Sequence, residues 1–458
     1  MSYRKFIADK LASLPPTGID VPALPYDLMP HQQDLTRWAL RRGRAAIFAD
    51  TGLGKSRMQL AWANEIVKAS GHDVIILAPL AVAQQTVKEG AAIGVDVNHC
   101  HSDADVRRGI NITNYDRLHL LDHERFGAVV LDESSIIKHH TSKTLQALID
   151  AFRHATYRLC ATATPAPNDW VELGTHSEFL GIRSRSEMLA EFFVHDGGET
   201  QVWRLKGHAR REFWRWVATW GSMVRSPADL GHDASMYELP PLQIHEHIIE
   251  SDANVGQLFA GGTMTLSERR AARKDSLEGR VQACADIVNT EASEPWIVWC
   301  ELNAEGNALT EAIPDAVQIA GADDADDKEQ RLADFAAGKI RVLVSKPSIC
   351  GWGLNWQHCA RMAFVGVTDS FESYYQAMRR CWRFGQKRPV DVHLYVSEAE
   401  STVLHNLQRK ERDAKAMADA LSAETLEAIR ESALGSRKES NEYNAGKRIR
   451  LPAFMGAA

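Results

Sequence analysis

The stretch ADTGLGKS at 49–56 combines glycines, a lysine and a serine at a spacing suited to binding phosphate. It follows an apolar segment and opens an amphipathic one, which is the strand–loop–helix context of a phosphate-binding loop. Glycines let backbone N–H groups close around phosphate oxygens, and the helix N-terminus adds partial positive charge. Lys55 would contact the β- and γ-phosphates of a nucleoside triphosphate, and Ser56 would ligate Mg²⁺. A glycine-rich turn into an ordinary helix is the alternative.

A second motif, VVLDE at 129–133, is an apolar segment that ends in two acids. Asp132 is placed to hold Mg²⁺ through water, and Glu133 to orient and deprotonate the attacking water. Acids at a strand end can also be solvated residues without a chemical role. Because a phosphate-binding loop and a metal-binding strand occur here in the required order, we predict hydrolysis of a nucleoside triphosphate.

Both motifs lie in a regular alternation of short apolar runs and amphipathic stretches from about residue 45. AAIFAD, DVIILAP, AVVLDE and RLCATAT are predicted strands, and helices are predicted between them. Continuous apolar strands separated by helices indicate a parallel sheet covered on both faces. The alternation stops over residues 170–235 and resumes near 295 with PWIVWC, AVQIAG, RVLVSK, RMAFVGV and DVHLYV. The sequence therefore predicts two α/β domains joined near 236–290.

The composition restricts the class of protein. With 458 residues and a net charge of −7, the chain is too long for one ordinary domain, and an anionic partner would be bound by local basic patches. Its seven cysteines form no C-x-x-C pair, which favours buried free thiols over a zinc site. No apolar run approaches the ~20 residues of a membrane span, and the N-terminus lacks a secretory signal. These features predict a cytoplasmic protein that does not enter a membrane.

Taken in order, the motifs resemble those of superfamily 2 helicase-type ATPases, and within them the Swi/Snf-type translocases of double-stranded DNA, over roughly residues 28–395. LMPHQ at 28–32 resembles the motif that recognises adenine, and ADTGLGKS is close to the family's D-x-G-L-G-K. The resemblance implies ATP and Mg²⁺ as cofactors. It assigns nucleotide binding to Gln32, Thr51, Gly52, Gly54, Lys55, Ser56 and Gly353.

Other segments resemble the motifs that contact nucleic acid. APLAVAQQ at 78–85 and ITNYD at 112–116 resemble contacts to one strand, and SKPSICGWGLN at 345–355 resembles the Gly-Leu-Asn motif. TATP at 162–165 resembles the motif that couples the ATP site to the track, through Thr162 and Thr164. The resemblance assigns nucleic-acid contacts to Pro79, Gln84, Asn114, Ser345 and Asn355.

The segment QAMRRCWRFGQ at 376–386 resembles the final motif of the family, Q-x-x-x-R-x-x-R-x-G-Q. An arginine supplied across a cleft would offset charge on the γ-phosphate and make hydrolysis depend on cleft closure, at roughly 10³–10⁵ in rate. Gln376, Arg380 and Arg383 are therefore expected to face the nucleotide cleft, in one helix that extends over 370–384. The resemblance makes the catalytic set Lys55, Asp132, Glu133, Gln376, Arg380 and Arg383.

Other residues of this segment are predicted to have ordinary roles. Trp382 and Phe384 are expected to pack the helix onto its sheet. Arg379, Lys387 and Arg388 are predicted to form a basic patch.

Some positions depart from the family pattern. Ala49 stands where the stricter phosphate-loop pattern has glycine, and Arg379 where relatives often have an acid. The acidic motif continues with Ser134 and Ser135 where relatives usually carry a small residue followed by His or Asp. Coupling between hydrolysis and the track could therefore differ, although both acids of the motif are present.

The fold implied by the resemblance is two tandem RecA-like domains with a nucleotide cleft between them. Residues 27–235 are predicted to form the first domain, with a helical insertion at about 170–235, after an extension at 1–26. Residues 236–290 are predicted to form the linker and the start of the second domain. Residues 291–430 would complete that domain with C-terminal helices, and 431–458 would be a polar tail.

Several aromatic and basic segments allow two interpretations. The aromatic stretch with Trp203, Phe213, Trp214, Trp216 and Trp220 could stack bases, but at helical spacing a packed core is favoured. For Trp352 and Trp356, which flank the Gly-Leu-Asn motif, the alternatives stay open. The same is true of the basic segment Arg269, Arg270, Arg273 and Lys274, and the tail residues Lys447, Arg448 and Arg450 are expected to be solvated.

The favoured function is an ATP-dependent motor that moves along nucleic acid, with double-stranded DNA as the predicted track, and that acts as a monomer. The chain resembles a minimal prokaryotic or phage version of the family. A protein partner could supply its target specificity. The alternatives are a strand-separating DNA or RNA helicase and a nucleotide-gated clamp with little turnover. The sequence leaves the direction of movement, the step size and the pathway undetermined.

Overall fold

Two parallel β-sheets flanked by helices make up most of the described structure. A computed structural model describes residues 17–79, 82–195, 203–249, 274–350, 355–367, 370–397 and 401–433. We call the first sheet with the helices packed on it lobe 1, and the second sheet with its helices lobe 2. The predicted class, α/β with two RecA-like domains, is confirmed.

The sheet of lobe 1 has seven strands in the order β3-β4-β2-β5-β6-β1-β9, and every pairing is parallel. Its central strands are almost entirely buried, as expected where helices cover both faces. The strands are β1 (Arg44–Ala49), β2 (Asp73–Ala78), β3 (Asn98–His99), β4 (Ile110–Asn114), β5 (Phe126–Asp132), β6 (Tyr157–Thr162) and β9 (Gly221–Val224), with an antiparallel pair β7 (Phe193–His195) and β8 (Trp203–Leu205) beside them.

Helices of lobe 1 connect these strands, and their ends follow local sequence signals. α1 has proline at its first position and ends at Gly43, and α2 begins after Gly54, a glycine in the left-handed conformation. The helices are α1 (Pro30–Arg42), α2 (Lys55–Ser70), α3 (Ala83–Ala92), α4 (Lys143–Ala151), α5 (Leu173–Leu180), α6 (Arg185–Phe192) and α7 (Arg210–Ala218).

The sheet of lobe 2 has six strands in the order β10-β15-β14-β11-β13-β12, again all parallel. The strands are β10 (Leu242–Ile249), β11 (Trp296–Cys300), β12 (Ala316–Ile319), β13 (Val342–Ser345), β14 (Arg361–Val365) and β15 (Val390–Ser397). The helices are α8 (Leu277–Thr290), α9 (Asn303–Ala312), α10 (Ala325–Ala336), α11 (Pro347–Cys350), α12 (Phe371–Met378) and α13 (Ser401–Ala433).

The last helix, α13, bridges the two lobes, although the sequence assigned it to lobe 2. Its first turns pack in the core of lobe 2 through Leu404 and Leu407, and later turns pack in lobe 1 through Met417 and Leu421. At 33 residues the helix is long enough to span both. Thr425 and Ser422 bond the backbone N–H and C=O of Met223 on the edge strand β9, at 3.0 and 3.1 Å.

The aromatic stretch at 203–220 is a packed core, as favoured from its spacing. Phe213, Trp214, Trp216 and Trp220 are buried in one cluster with edge-to-face ring contacts, whereas Trp203 is half-buried beside it. Trp356 is also buried in the core of lobe 2. Trp352, Arg269, Arg270, Arg273 and the tail residues Lys447, Arg448 and Arg450 lie outside the described residues.

Two further properties bear on class. Among the described residues, no helix is both long and apolar enough to cross a membrane. All seven cysteines are free thiols and buried, which agrees with the sequence-based preference for buried thiols.

Candidate active site

A cavity of about 390 Å³ lies between the two lobes and collects most of the predicted nucleotide-site residues. From lobe 1 it is lined by the phosphate-loop segment and by the two acids at the end of β5. From lobe 2 it is lined by Asn355 and by residues that follow α12. The lining residues are Met29, Gln32, Thr51, Gly52, Gly54, Lys55, Ser56, Arg57, Val82, Gln85, Glu89, Asp132, Glu133, Tyr237, Asn355, Arg380, Arg383 and Phe384.

The loop between β1 and α2 requires glycine at two positions. Gly52 and Gly54 have φ angles of 93° and 81°, a region that side chains disfavour. A Cβ at Gly54 would also lie 2.2 Å from Nε2 of Gln32, and one at Gly52 2.9 Å from Cβ of Phe384. The loop can therefore approach both the adenine-side residue and lobe 2 closely.

Lys55, the first residue of α2, is folded back against its own loop. Its Nζ donates to the carbonyl oxygens of Ala49 at 2.9 Å and Asp50 at 3.5 Å. Burial lowers the pKa of Lys55, and the nearby carboxylates of Glu133, Asp50 and Asp132 partly oppose that shift. A cation held in a glycine loop at a helix N-terminus is chemically suited to phosphate.

Asp132 ends β5 in a buried position where its charge is costly. Burial, and then the charge of Glu133, raise the pKa of Asp132 to about 7. Nε2 of Gln59 donates to Oδ1 of Asp132 at 2.6 Å, and the Tyr115 hydroxyl donates to its backbone carbonyl at 2.7 Å. Asp132 and Ser56 line the same cavity and offer the oxygen ligands that Mg²⁺ prefers, so these residues fit the predicted metal.

Glu133 adopts a backbone conformation that is rare for a side-chain-bearing residue, with φ 51° and ψ 53°. Such strain is common at functional sites, where the surroundings fix a side chain in a required direction. The Thr162 hydroxyl at the end of β6 donates to Oε2 of Glu133 at 3.3 Å, and accepts from the backbone N–H of Thr164 at 3.1 Å. The predicted coupling motif thus contacts the predicted general base directly.

Ser134 and Ser135 follow Glu133 and are both buried. The Ser134 hydroxyl lies 3.1 Å from Nε2 of His176, which comes from α5. The unusual serine of the acidic motif is thus connected to the helical insertion of lobe 1.

The arginines of the final motif reach the cavity from a turn, which corrects the predicted helix over 370–384. α12 ends at Met378, and the chain then turns toward Gly385, whose φ is 92°. Arg380 and Arg383 line the cavity, and burial lowers the pKa of each to about 10, so both stay charged at neutral pH. They are therefore not neighbours on one helix face.

Gln376 does not line the cavity, contrary to the prediction that it faces the nucleotide. It is buried in α12, where its Oε1 accepts from Nη2 of Arg380 at 3.0 Å and its backbone carbonyl accepts from Nε at 3.0 Å. Its contact with the site is thus indirect, through the orientation of Arg380.

Other residues of this segment also differ from expectation. Phe384 lines the cavity and its ring centroid lies 4.7 Å from that of Tyr237, so it does not pack the helix on the sheet. Trp382 does pack against the lobe 2 core. Arg388 is a surface residue that pairs with Glu294, whereas Arg379 is buried rather than part of a basic patch.

Gln32 is fixed between two backbone segments. Its Oε1 accepts from the N–H of Met29 and its Nε2 donates to the carbonyl of Leu53, both at 3.0 Å. The predicted adenine-side residue therefore also supports the phosphate loop. To contact a base, its amide would have to exchange one of these bonds.

The predicted nucleic-acid contacts are placed unevenly. Gln84 is exposed on α3, and Pro79 is half-buried after β2. Asn114 is buried and its side chain accepts from the N–H of Arg117 at 3.1 Å. Ser345 is buried with its hydroxyl donating to the carbonyl of Ile319 at 2.8 Å, so it is not available to a strand in this conformation.

Two residues of the Gly-Leu-Asn motif have different outcomes. Asn355 is exposed and lines the nucleotide cavity, beside Arg380 and Arg383. Gly353 lies outside the described residues. Thr164 lines a separate cavity of about 460 Å³, which Asp50 also lines.

Sequence reasoning missed several residues of the site. Gln59 is four residues after Lys55 on α2, so helical spacing placed it near the phosphate loop, and this signal was available. Tyr237 and Glu89 carry no comparable signal, since each comes from a segment without a recognised motif. The contact between Asp50 and Arg379 joins residues 329 positions apart, and neither shows it locally.

Comparison with known families agrees with this geometry. Residues 31–216 match the family model of the SNF2-related domain. Residues 279–385 match that of the helicase conserved C-terminal domain. The chain is a superfamily 2 helicase-like protein of the Swi/Snf type. The first match includes the phosphate loop and both acids, and the second includes the arginines, so this Swi/Snf-type chain is a helicase-like nucleic-acid motor.

The Swi/Snf-type chain is similar to a phage protein and to a plant RNA helicase. It is 23% identical over 463 residues to protein p41 of Acyrthosiphon pisum secondary endosymbiont phage 1, covering 86% of this chain and 97% of the phage protein. It is also 23% identical over 155 residues to DEAD-box ATP-dependent RNA helicase 35 of Arabidopsis thaliana, covering 33% of this chain and 25% of that protein. The similarity to the phage protein thus extends over both lobes.

Proposed function

We propose that the chain is an ATP-dependent translocase that moves along double-stranded DNA, with ATP hydrolysis at the cavity between its lobes. The observation that carries the proposal is the two-lobed composition of that cavity. Lys55, Asp132 and Glu133 line it from lobe 1, and Arg380 and Arg383 from lobe 2. Hydrolysis in such a site requires both lobes at once, which links each turnover to their relative position.

The nucleotide would lie with its base near Gln32 and its phosphates on the loop of Gly52, Gly54 and Lys55. On nucleotide binding, the Lys55 ammonium would exchange its hydrogen bonds to the carbonyls of Ala49 and Asp50 for bonds to negatively charged phosphate oxygens. Ser56 and Asp132 would hold Mg²⁺, which when bound supplies positive charge to the β- and γ-phosphates. Gln59 would keep the Asp132 carboxylate in one orientation, since it occupies Oδ1.

Glu133 would orient and deprotonate the attacking water, as the general base of the reaction. Its strained backbone and the hydrogen bond from Thr162 fix the direction of the carboxylate. Arg380 and Arg383 would stabilise the charge that develops on the transferred phosphoryl group. Gln376 would orient Arg380 by accepting two hydrogen bonds from its guanidinium.

Movement would follow from the connection between this chemistry and the lobes. When the γ-phosphate is released, the arginines lose their partner and the cleft can open. Thr162 and Thr164 would couple the general base Glu133 to the track, which the hydrogen bonds from Thr162 to Glu133 and from Thr164 to Thr162 support. Gln84 and Pro79 are exposed or partly exposed on lobe 1 and would contact the track. Two lobes that bind one strand at separate points and close once per ATP advance along it.

The family match supports duplex DNA as the track, because the first lobe matches the SNF2-related domain. Strand separation on RNA is the second candidate, favoured by the match of 155 residues to a protein named as an RNA helicase. We further propose that the motor acts as a monomer in the cytoplasm of a bacterium or phage-infected cell, with a partner protein supplying its target.

The test is the ATPase rate of the full chain with no nucleic acid, duplex DNA, single-stranded DNA and RNA, at one salt concentration, because phosphate contacts make affinity salt-dependent. We expect the strongest stimulation by duplex DNA, together with displacement of a third strand from a DNA triplex. Release of a strand from a partial duplex, with stimulation by single strands only, would favour the helicase instead. Absence of turnover on every substrate would leave a nucleotide-gated clamp.

A further inference from the structure

One end of α12 is connected to the phosphate loop of the opposite lobe. Arg379, the residue after the last turn of α12, donates from Nη2 to Oδ2 of Asp50 at 2.8 Å and to the carbonyl of Thr51 at 3.0 Å. Tyr375, one turn earlier, donates from its hydroxyl to Oδ1 of the same carboxylate. The Asp50 carbonyl is in turn one of the two that accept from Lys55.

The other end of α12 is connected to the segment that follows the acidic motif. Glu372, in the first turn of α12, pairs with Lys138. Lys138 comes directly after the 3-10 helix Ser134–Ile137, which begins next to Glu133. We call the cross-lobe pairs Asp50–Arg379, Asp50–Tyr375 and Lys138–Glu372 the α12 clasp.

The clasp holds charges that have little access to water. Arg379 is 3% exposed and Glu372 4% exposed. Burial alone would lower the pKa of Arg379, but the Asp50 carboxylate and Tyr375 raise it above its usual value, so the guanidinium stays charged. The Trp382 ring lies 5.0 Å from it and shields its other face.

Such charges are stable in this position only while their partners are present, because a buried unpaired charge is very unfavourable. Opening the cleft separates each pair and returns its members to water. The closed and open arrangements are therefore two distinct states, and the pairs of the clasp are formed in the closed one. Every partner in these contacts is a group of the chain itself.

We propose that the α12 clasp contributes to cleft closure in addition to bound nucleotide, and that Arg379 and Glu372 are positioning residues that place Arg380 and Arg383 at the cavity. The catalytic consequence rests on the proposed ATPase function, whereas closure does not. Since Arg380 follows Arg379 directly, holding Arg379 against Asp50 limits where the next residues can lie. The chain should then hydrolyse ATP appreciably without a track, and nucleic acid should add to closure rather than create it.

Closure is measured first, by fluorescence energy transfer in the nucleotide-free full chain. All seven native cysteines are buried, so dyes can be attached to cysteines introduced at the exposed positions Asp96 in lobe 1 and Glu311 in lobe 2. The variants are Glu372→Lys, Lys138→Glu, their double charge swap and Arg379→Met. We expect each single variant to lower the transfer efficiency and the swap to restore it.

Turnover is measured second, with Arg379→Met, Arg379→Lys and the matched control Arg388→Met, which removes a surface arginine paired with Glu294 within lobe 2. Without nucleic acid, Arg379→Met should lower kcat about tenfold, as expected for about 1.4 kcal/mol of lost closure energy. KM should change less, and saturating duplex should recover most of the rate. Arg379→Lys keeps one charged bond to Asp50, so its kcat should lie between those of Arg379→Met and the parent chain. The kcat of Arg388→Met should equal that of the parent chain.

The two measurements separate the inference from the proposed function. The proposed role of the clasp is wrong, even when ATP is hydrolysed, if the charge swap fails to restore closure. The same holds if Arg379→Met leaves the dye distance unchanged. If the parent chain shows no turnover but closure follows the charge pairs as described, the clasp stands and the ATPase proposal fails. Thermal melting of each variant shows whether it is folded, and the swap distinguishes a lost pair from general damage.

Discussion

The side-chain amide of Gln59 donates a hydrogen bond of 2.6 Å to Oδ1 of Asp132, joining the helix that follows the phosphate loop to the predicted metal-binding acid. The two residues are 73 positions apart, and both are buried. Gln59 thus occupies one oxygen of a carboxylate that lines the cavity. This orientation is a property of the lobe 1 core and does not depend on lobe 2.

Replacing Gln59 by Leu should therefore weaken the metal site without removing a ligand. Supporting residues of this kind typically change metal affinity or activity by about 10- to 100-fold. We expect Gln59→Leu to raise the Mg²⁺ concentration needed for half-maximal ATPase rate. Gln282→Leu, at an exposed glutamine on α8, is the matched control. An unchanged Mg²⁺ dependence would show that Asp132 is oriented by other contacts.

Lys55→Ala and Glu133→Gln should separate phosphate binding from water activation. Lys55→Ala removes the cation of the loop and should lower both ATP affinity and turnover. Glu133→Gln keeps the shape of the side chain but not its basicity, so turnover should fall roughly 10²–10⁴-fold while binding persists. Fluorescent-nucleotide binding and phosphate release measure the two effects. Loss of ATP binding in Glu133→Gln would argue for a structural role instead.

Arg383→Ala should reduce hydrolysis more than nucleotide affinity, because the arginine acts on charge that develops during the reaction. The loss is expected to approach the roughly 10³–10⁵-fold effect of arginines in comparable NTPases. Arg388→Ala is the control in the same segment. Normal hydrolysis by Arg383→Ala with duplex DNA present would exclude the two-lobe mechanism.

Asp132→Asn should stabilise the nucleotide-free chain in a pH-dependent way. The pKa of Asp132 rises from 3.8 to about 7 on folding, so folding takes up a proton between these values. The stabilising contribution of the protonated form is complete below about pH 4 and is lost as pH rises through about 7. Asparagine can still accept from Gln59 but carries no charge. The melting temperature of Asp132→Asn should therefore exceed that of the parent by at least about 2 °C at pH 8.

This difference should shrink toward pH 5.5, where the parent carboxyl is mostly protonated. Asp96→Asn, at an exposed acid of lobe 1, controls for net charge. The comparison is made without Mg²⁺ or nucleotide, since either would bind the carboxylate. A pH-independent difference would mean that the buried charge is neutralised by other means.

The sequence predicted the parts of the site that are encoded locally. The strand β1, the glycine loop and α2 follow one another, so Lys55 and Ser56 are positioned by their immediate neighbours. The same holds for Asp132 and Glu133 at the end of an apolar strand. Parallel-sheet geometry then brings both ends to one edge, and the two sheets follow from the alternation of apolar strands and helices.

Features that depend on distant partners could not be predicted. β4 contains buried Asn111 and Thr113, so its sequence lacks the apolar run of the other strands. Arg379 has the composition of a surface cation, and only its contact with Asp50 accounts for its burial. Ser345 matches a family position, but its hydroxyl bonds within the core of lobe 2.

The attachment of α13 to β9 has a consequence for how the protein folds during synthesis. The backbone of Met223 on the edge strand bonds the side chains of Ser422 and Thr425, about two hundred residues later in the chain. Until the ribosome has released that helix, the edge of the first sheet remains open to pairing with other strands, which is a known route to aggregation. Lobe 1 therefore completes its fold only after lobe 2 has been made.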